Sequence, residues 1–382
     1  MSGRDPVRPR PRHINFLTNA AASAAGLFIP LYAVQNGASL EDVGFIVAAY
    51  NAFTIFASIF FGRAADVQGV RRILRAGLLL SAGTCLTQPF AVDPWTLLVS
   101  RSLLGFCVGM YPAALLAYAK TADSLMGKFS SWGSLGWALG NGLAGVVAQI
   151  DPGVYWQVFA LASGAWFLAF YLATAAPSDA AGGMRVPLFP RKVLRRNIPV
   201  YAMMFIRHTG ANMIWGIFPI YLAEVLHLDV LEIGLINAFN PFVQFVVMQR
   251  IDRYGSRTLV VAGLLGSFAT FVLFLAAWDF WSMMATQIVL GFSWATLYVG
   301  SLKFITEENT ETGTAGGWFN SVTSLSSIVG PILGGFIATR SYALTFEIAA
   351  ILSLVALGAY LFTLRHPGGS GPPRTAPSAA EP

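Results

Sequence analysis

Three ionisable side chains lie inside apolar stretches of about 20 residues, the length that crosses a lipid bilayer. Arg101 precedes Gly105 and Gly109 at four-residue steps, so the three share one face of a predicted helix. Arg207 and His208 lie together deep in a second stretch. Charges inside a membrane are costly and usually functional. These residues could therefore couple a conformational change, bind a substrate or, for His208, carry a proton, whereas a purely structural buried role is the competing interpretation.

Acidic side chains are almost absent from the same stretches. Glu347 is the one clear intramembrane acid, and it lies near the start of the last apolar stretch, at its outer end. A binding site for cationic drugs normally needs a carboxylate for which drug and proton compete. A cavity that holds Arg101, Arg207 and His208 without a carboxylate would instead favour an anionic or neutral amphiphile, and the sequence leaves this choice open.

Further polar and aromatic side chains recur at helical spacing within the apolar stretches. Taken singly, each is best explained as a hydrogen bond or packing contact between helices. Taken together, they predict a wet central cavity with aromatic walls. The candidate cavity residues are Asn19, Asn212, Trp215, Asn240, Trp294, Tyr298 and Asn320.

The composition sets the fold class. Of the 382 residues, 55% are hydrophobic and 11% are charged, against about 25% charged residues in an ordinary soluble domain. In lipid the backbone must satisfy its own hydrogen bonds, so the apolar stretches are predicted to be helices. Strand-like alternation is absent. The prediction is an all-α integral membrane protein.

The sequence shows no catalytic or cofactor motif. The four histidines are scattered, Cys85 and Cys107 fall inside apolar stretches, and neither a phosphate-binding loop nor a nucleophile elbow is present. We therefore expect no enzyme, no metal site and no cofactor. The net charge of +6 comes from basic residues in predicted cytoplasmic loops, so it indicates membrane topology rather than a nucleic-acid partner.

The two halves of the chain repeat each other. Asp66 and Asp252 are separated by the same number of positions as Gly69 and Gly255, and two further stretches keep that spacing. Internal duplication of a membrane unit is typical of secondary transporters. The sequence therefore predicts twelve transmembrane helices in two pseudo-symmetric six-helix bundles.

The predicted organisation follows from the apolar stretches and the basic loops. Lysine and arginine concentrate on one side, which predicts a multi-pass protein of the plasma (or inner) membrane with both termini in the cytoplasm. The predicted segments are a disordered basic tail 1–13, a first bundle 14–176, a cytoplasmic linker 177–197, a second bundle 198–365 and a disordered tail 366–382.

The polar stretch after the second predicted helix resembles the signature loop of the major facilitator superfamily. Its matching positions are Gly62, Asp66, Gly69, Arg71 and Arg72. Arg101 and the glycines that follow it look like a second motif of that family, and the resemblance covers residues 14–365. It implies a transporter that rocks its two halves about a site at the membrane midplane.

The resemblance also implies a conformational latch at the cytoplasmic side. Asp66 would lie against the positive N-terminal end of the helix that starts near Thr314, and Arg71, Arg72 or Arg63 would reach Asp123. Such a latch, which includes Gly62 and in which Gly69 permits the tight turn, would favour the outward-open state. The competing interpretation is that these charges only set the topology.

A third motif bears on the branch of the family. Drug:proton antiporters tend to carry Gly-x-x-x-Gly-Pro-x-x-Gly-Gly in the fifth helix, whereas this chain has Asn141 in place of the proline. The better copy lies in the eleventh predicted helix. The residues expected to allow close helix packing are Gly105, Gly109, Gly136, Gly140, Gly330, Pro331 and Gly334.

The sequence thus predicts a secondary active transporter that exports a small amphiphilic compound in exchange for protons. Its expected partners are the substrate, a proton and the lipid bilayer, with a monomer as the expected state. An organic-anion or metabolite carrier of the same superfamily is the alternative within the class. A membrane receptor or scaffold that kept the fold without transporting is the alternative from another class.

Overall fold

The computed structural model describes residues 11–122, 126–176, 191–309 and 312–365, and these residues are almost entirely helical. The helices of the first half are α1 (Pro11–Leu27), α2 (Ile29–Gln35), α3 (Leu40–Gln68), α4 (Val70–Cys85), α5 (Pro94–Met110), α6 (Pro112–Ala122), α7 (Met126–Ala148) and α8 (Trp156–Leu172). Those of the second half are α9 (Arg191–Trp215), α10 (Phe218–Glu224), α11 (Val230–Met248), α12 (Ser256–Ala276), α13 (Phe280–Glu308), α14 (Thr312–Ala338) and α15 (Tyr342–Arg365).

Three pairs of consecutive helices run end to end, namely α1 with α2, α5 with α6 and α9 with α10. Each pair counts as one span, so the fifteen described helices form the twelve predicted spans. Each of α2, α6 and α10 starts with a proline in its first turn, because proline lacks the N–H that would continue the preceding helix. Tyr298 occupies the repeat position of Pro112, and α13 accordingly runs unbroken where α5 stops and α6 begins.

Nine segments of the described chain are long and apolar enough to cross a membrane on length and composition. The other three spans, α4, α7 and α9–α10, pack lengthwise against them. Helix bounds also differ from the predicted segments at two places. α1 already begins at Pro11, and α9 begins at Arg191, so residues 191–197 are helical rather than part of a linker.

The two halves form the same bundle twice. In the first half, α1 packs against α7 and α8, α3 against α5, and α4 against α8. In the second half, α9 packs against α14 and α15, α11 against α13, and α12 against α15. The duplication seen in the sequence therefore corresponds to two six-span bundles with equivalent helix partners.

Glycine allows the closest crossing within each bundle. A side chain at Gly105 or Gly109 of α5 would meet the carbonyls of Tyr50 and Thr54 on α3. The hydroxyl of Thr54 also donates to the Gly105 carbonyl at 3.0 Å. Small residues that let backbones touch are the usual means of holding membrane helices together, because lipid provides no hydrophobic drive between them.

The other predicted packing residues lie at equivalent crossings. A side chain at Gly136 or Gly140 would meet backbone of α1, and one at Gly330 or Gly334 would meet backbone of α9. Pro331, between the last two, contacts α3 of the opposite bundle through the close approach of its carbonyl to Gly44.

The bundles have chemically distinct ends, named here the acidic end and the basic end. At the acidic end, Asp93, Asp229 and Asp279 cap the first turns of α5, α11 and α13 with their carboxylates. At the basic end, Arg71 donates to the Ala176 carbonyl at 2.6 Å, which ties the start of α4 to the segment after α8.

The bundles meet at the acidic end through two crossings that are related by the repeat. A methyl group on Gly234 of α11 would lie 2.6 Å from the Cα of Gly145 on α7. A methyl group on Gly44 of α3 would lie 2.5 Å from the Pro331 carbonyl oxygen, and one on Gly335 of α14 would lie 2.6 Å from the Leu40 carbonyl oxygen. The two interfaces are thus built from backbone against backbone.

One side-chain hydrogen bond adds to only one of these crossings. Asn141 of α7 is buried and donates through Nδ2 to the Asn237 carbonyl of α11 at 3.0 Å. The repeat position of Asn141 is Pro331, which has no donor to offer. Within the described residues, the α7–α11 crossing is therefore more polar than the α3–α14 crossing.

Toward the basic end the glycines of α14 make no such crossing. Side chains added at Gly316 and Gly317 of α14 would meet nothing within 4 Å, and Asn320 and Ser321 of the same helix are exposed. Across the interface, α1 and α5 make at most isolated contacts with α9 and α13 in the described part of the chain. These sparse contacts indicate a central gap between the bundles, which the two crossings border at the acidic end.

We predict that Gly234→Leu forces the acidic end open. The added side chain has no room against Gly145, and overpacking of this kind costs roughly 1–3 kcal/mol. Spin labels on Ile150→Cys and Val225→Cys, both exposed, would report a longer separation by double electron–electron resonance. Gly164→Leu is the control, since nothing lies within 4 Å of that position. An unchanged separation in Gly234→Leu would contradict the crossing as described.

We predict a smaller shift in the same direction for Asn141→Ala. Loss of one buried hydrogen bond costs about 1 kcal/mol, which changes the ratio of two conformations roughly fivefold. Asn237→Ala is the matched control, because the bond uses the main-chain carbonyl of Asn237, which that substitution keeps. The same label pair measures the populations, and equal populations in Asn141→Ala and Asn237→Ala would rule out a role for the side chain of Asn141.

Candidate functional site

Arg101 lies inside the first bundle. It is 5% exposed, and its guanidinium lies 4.3 Å from the centroid of the Tyr50 ring on α3. Its Nη1 donates to the Ala25 carbonyl of α1 at 3.3 Å, whereas its Nε is buried without a partner. The residue thus joins α1, α3 and α5, and this arrangement suits the coupling of helix movements within the bundle.

Arg207 lies in the second bundle, at 2% exposure. Its Nε donates to the Ser267 hydroxyl at 2.8 Å, and that hydroxyl shares a 2.7 Å hydrogen bond with Ser293. Its Nη2 is buried and has no partner. The guanidinium lies 5.3 Å from the centroid of the Trp294 ring, within range of a cation–π interaction.

His208 faces the neighbouring helix α13. Its ring stacks on Trp294 with centroids 4.9 Å apart, and its Nδ1 is buried without a partner. Trp294 stacks in turn on Tyr298 at 5.6 Å, and Tyr298 lies 5.9 Å from Phe319 of α14. His208, Trp294 and Tyr298 are half-buried. They form an aromatic wall on the second bundle, beside the gap.

On the first bundle, a set of polar side chains joins α1 to α7. Asn19 of α1 accepts a hydrogen bond from the Trp137 indole of α7 at 2.8 Å and donates to the Asn15 side chain at 2.9 Å. Asn15 donates to the Phe129 carbonyl at 2.8 Å. These bonds hold α1 to α7, while Asn19 stays half-buried and Trp137 is 45% exposed.

The four other candidate cavity residues do not form one cluster. Asn212 donates to the His208 carbonyl of its own helix at 2.8 Å, and Trp215 packs edge-on against Phe218. Asn240 accepts from Gln244 at 2.7 Å within α11. Asn320 is exposed on α14, toward the basic end. Asn212 thus extends the His208 surface, whereas Asn240 and Asn320 lie on other helices.

The structure describes the predicted latch only in part. Gly69 caps the start of α4 with a φ of +91°, a left-handed conformation that glycine adopts without strain. Arg71 is occupied by the Ala176 carbonyl, and Arg72 is exposed. The surroundings of Gly62, the side chain of Asp66 and the whole of Asp123 lie outside the part of the chain that the structure describes. The latch therefore stays a prediction.

Sequence reasoning did not find two features of the site. It singled out Asn141 only as a departure from a motif, although that residue bridges the bundles. It also did not find the Ser267–Ser293 pair under Arg207, because serine on an apolar helix is common and nothing local distinguishes these two. The repeat spacing offered a signal for Asn141, since its mate Pro331 faces the other crossing.

Comparisons with known proteins agree with this architecture. The family model for the Major Facilitator Superfamily matches residues 14–207 and 200–381. The chain is 22% identical over 324 residues, 80% of this chain and 83% of the relative, to quinolone resistance protein NorA of Staphylococcus aureus (strain COL). It is 28% identical over 170 residues, 43% of each chain, to multidrug resistance protein 1 of Bacillus subtilis (strain 168).

Solved structures show the same fold at low identity. The nucleoside transporter NupG superposes with a TM-score of 0.75 at 13% identity, covering 93% of this chain and 98% of that one. A bacterial homologue of the human lysosomal transporter Spinster, in an inward-facing and unoccupied conformation, gives 0.71 at 12% identity, covering 93% and 95%. These structures share the fold of the chain, and the match of the family model over residues 14–207 and 200–381 shows that the chain belongs to the major facilitator superfamily of transporters.

Proposed function

We propose that this transporter exports a small amphiphilic organic compound by alternating access, driven by proton entry. The observation that carries the proposal is the pair of repeat-related crossings, which join the two bundles at the acidic end, beside the central gap. A rocking motion about such crossings exposes one central site to each side in turn.

The charge distribution supports an orientation for this motion. The basic end contains the loops rich in arginine and lysine, which favour the cytoplasmic side. In that orientation both termini lie in the cytoplasm, and the two crossings lie at the external side of the membrane.

The type of substrate is supported by the walls of the gap and by the relatives. His208, Trp294 and Tyr298 offer flat apolar surfaces next to polar groups, which suits an amphiphile. The relatives bear the names of quinolone resistance and multidrug resistance proteins. Their identity to this chain is low, so the compound itself is a matter for direct measurement.

We expect transport to depend on a proton gradient. The test uses purified protein in proteoliposomes that are loaded with a fluorescent amphiphile, namely ethidium, Hoechst 33342 or anilinonaphthalene sulfonate. At least one of these three compounds should move faster across the membrane when a pH gradient is imposed. Empty liposomes measure passive leakage. If none of these compounds exchanges in counterflow, under any ion gradient, the chain is better explained as a receptor or scaffold that kept the fold.

We expect Asp66→Asn to stabilise the conformation that is open at the basic end. The predicted latch pairs the Asp66 carboxylate with a helix N-terminus, an interaction typically worth about 0.3–1 kcal/mol and up to about 2 kcal/mol when partly buried. Labels placed across the basic end would show the open population rising severalfold. Glu347→Gln removes an exposed carboxylate elsewhere and is the control. An open population equal to that of the unsubstituted protein would count against the latch.

A further inference from the structure

The geometry points to a binding site for an aromatic organic anion, formed by Arg207 and His208 of α9 together with Trp294 and Tyr298 of α13. This inference rests on the transporter function proposed above and names the class of compound carried. The acid group of the compound would meet Arg207 and His208. Its ring would stack on the half-buried aromatic wall.

The charge on Arg207 is the first argument. The side chain is 2% exposed, and the acidic residues of the described helices lie at the helix ends, apart from the exposed Glu347 in the second turn of α15. The contacts of the guanidinium are a serine hydroxyl and two aromatic rings, which are neutral. A buried cation without a counter-ion is costly in a membrane, so the site favours a ligand that brings a negative charge.

The unpartnered nitrogens are the second argument. Nη2 of Arg207, a donor, and Nδ1 of His208, a donor in the Nδ1–H tautomer, are both buried and without hydrogen-bond partners. Both side chains approach the same indole, with the Arg207 guanidinium 5.3 Å and the His208 ring 4.9 Å from the Trp294 ring. A carboxylate or sulfonate has several acceptor oxygens, and guanidinium groups bind such anions with strong, charge-assisted hydrogen bonds.

The aromatic wall is the third argument, and it restricts the compound to one with a flat ring. Trp294 and Tyr298 stack at 5.6 Å with their planes 26° apart, and both are half-buried, so part of each ring is left accessible to a flat ligand. Asn212 lies one turn from His208 and is half-buried. An aliphatic acid would fill the anion position but would gain less from stacking.

An anionic substrate adds the membrane potential to the proton entry proposed above as a driving force for export. Moving an anion out of a compartment with a negative interior is favoured by the membrane potential itself. A carboxylate for which substrate and proton compete is then not required. The scarcity of acids in the apolar stretches of the sequence fits this type of transport.

The binding test uses naphthalene-2-sulfonate against its neutral match naphthalene-2-sulfonamide, titrated calorimetrically into protein in lipid nanodiscs. We expect the sulfonate to bind at least tenfold more tightly. Arg207→Gln should weaken sulfonate binding tenfold or more and leave sulfonamide binding unchanged, with Arg207→Lys in between. Equal affinities for the two compounds, or an unchanged sulfonate affinity in Arg207→Gln, would overturn the inference.

A second test variant, with its own control, keeps the experiment decisive if Arg207→Gln does not fold. His208→Phe preserves the stack on Trp294 and removes the ring nitrogens, so it should weaken sulfonate binding severalfold without affecting the sulfonamide. Phe292→Leu is the control, because Phe292 is exposed on the opposite face of α13. A His208→Phe variant that binds the sulfonate as tightly as the parent protein would also overturn the inference.

Transport distinguishes this inference from the proposed function. In proteoliposomes, a potassium diffusion potential without a pH gradient should drive naphthalene-2-sulfonate toward the positive side. Binding without movement would leave the anion site in place and remove the export function. Movement of another amphiphile, with no sulfonate binding, would leave the export function in place and remove the anion site.

Discussion

The contact of backbone with backbone at two helix crossings is the constraint on which the structure depends. In lipid, apolar side chains gain little from meeting one another, so close approach and complete hydrogen bonding must hold the helices together. Gly145 with Gly234, and Gly44 with Pro331, bring α7 to α11 and α3 to α14 at one end of the molecule. The inner helices α1 and α5 make at most isolated contacts with α9 and α13 among the described residues, so these crossings border a central gap.

The repeat makes the crossings equivalent in position but not in chemistry. Asn141 adds a hydrogen bond to the α7–α11 crossing, whereas its mate Pro331 makes only backbone contact with α3. The two halves can therefore rock about symmetric positions while breaking unequal interactions. Opening the acidic end would break the Asn141–Asn237 hydrogen bond at the α7–α11 crossing. The described residues of the α3–α14 crossing have no equivalent hydrogen bond to break.

The two buried arginines have different surroundings. Arg101 is packed between helices of the first bundle, over the ring of Tyr50, and donates to the Ala25 carbonyl. Arg207 lies in the second bundle beside the aromatic wall and keeps a free donor. The sequence grouped these two cations with His208 as one candidate cavity, but only Arg207 and His208 approach a common side chain. The second bundle thus has an aromatic wall beside a cation, whereas the first bundle has polar side chains between α1 and α7.

The sequence by itself determined the membrane class, the twelve spans, the duplication and the packing glycines, because apolar length, repeat spacing and four-residue steps are local properties of the chain. It did not determine where α5 would stop or where α9 would begin, since helix ends depend on single prolines and on neighbouring helices. Only the tertiary structure decided that Asn141 meets Asn237 and that Arg101 and Arg207 lie apart. Those outcomes depend on how each helix is rotated and tilted against its neighbours, and the whole bundle sets that geometry.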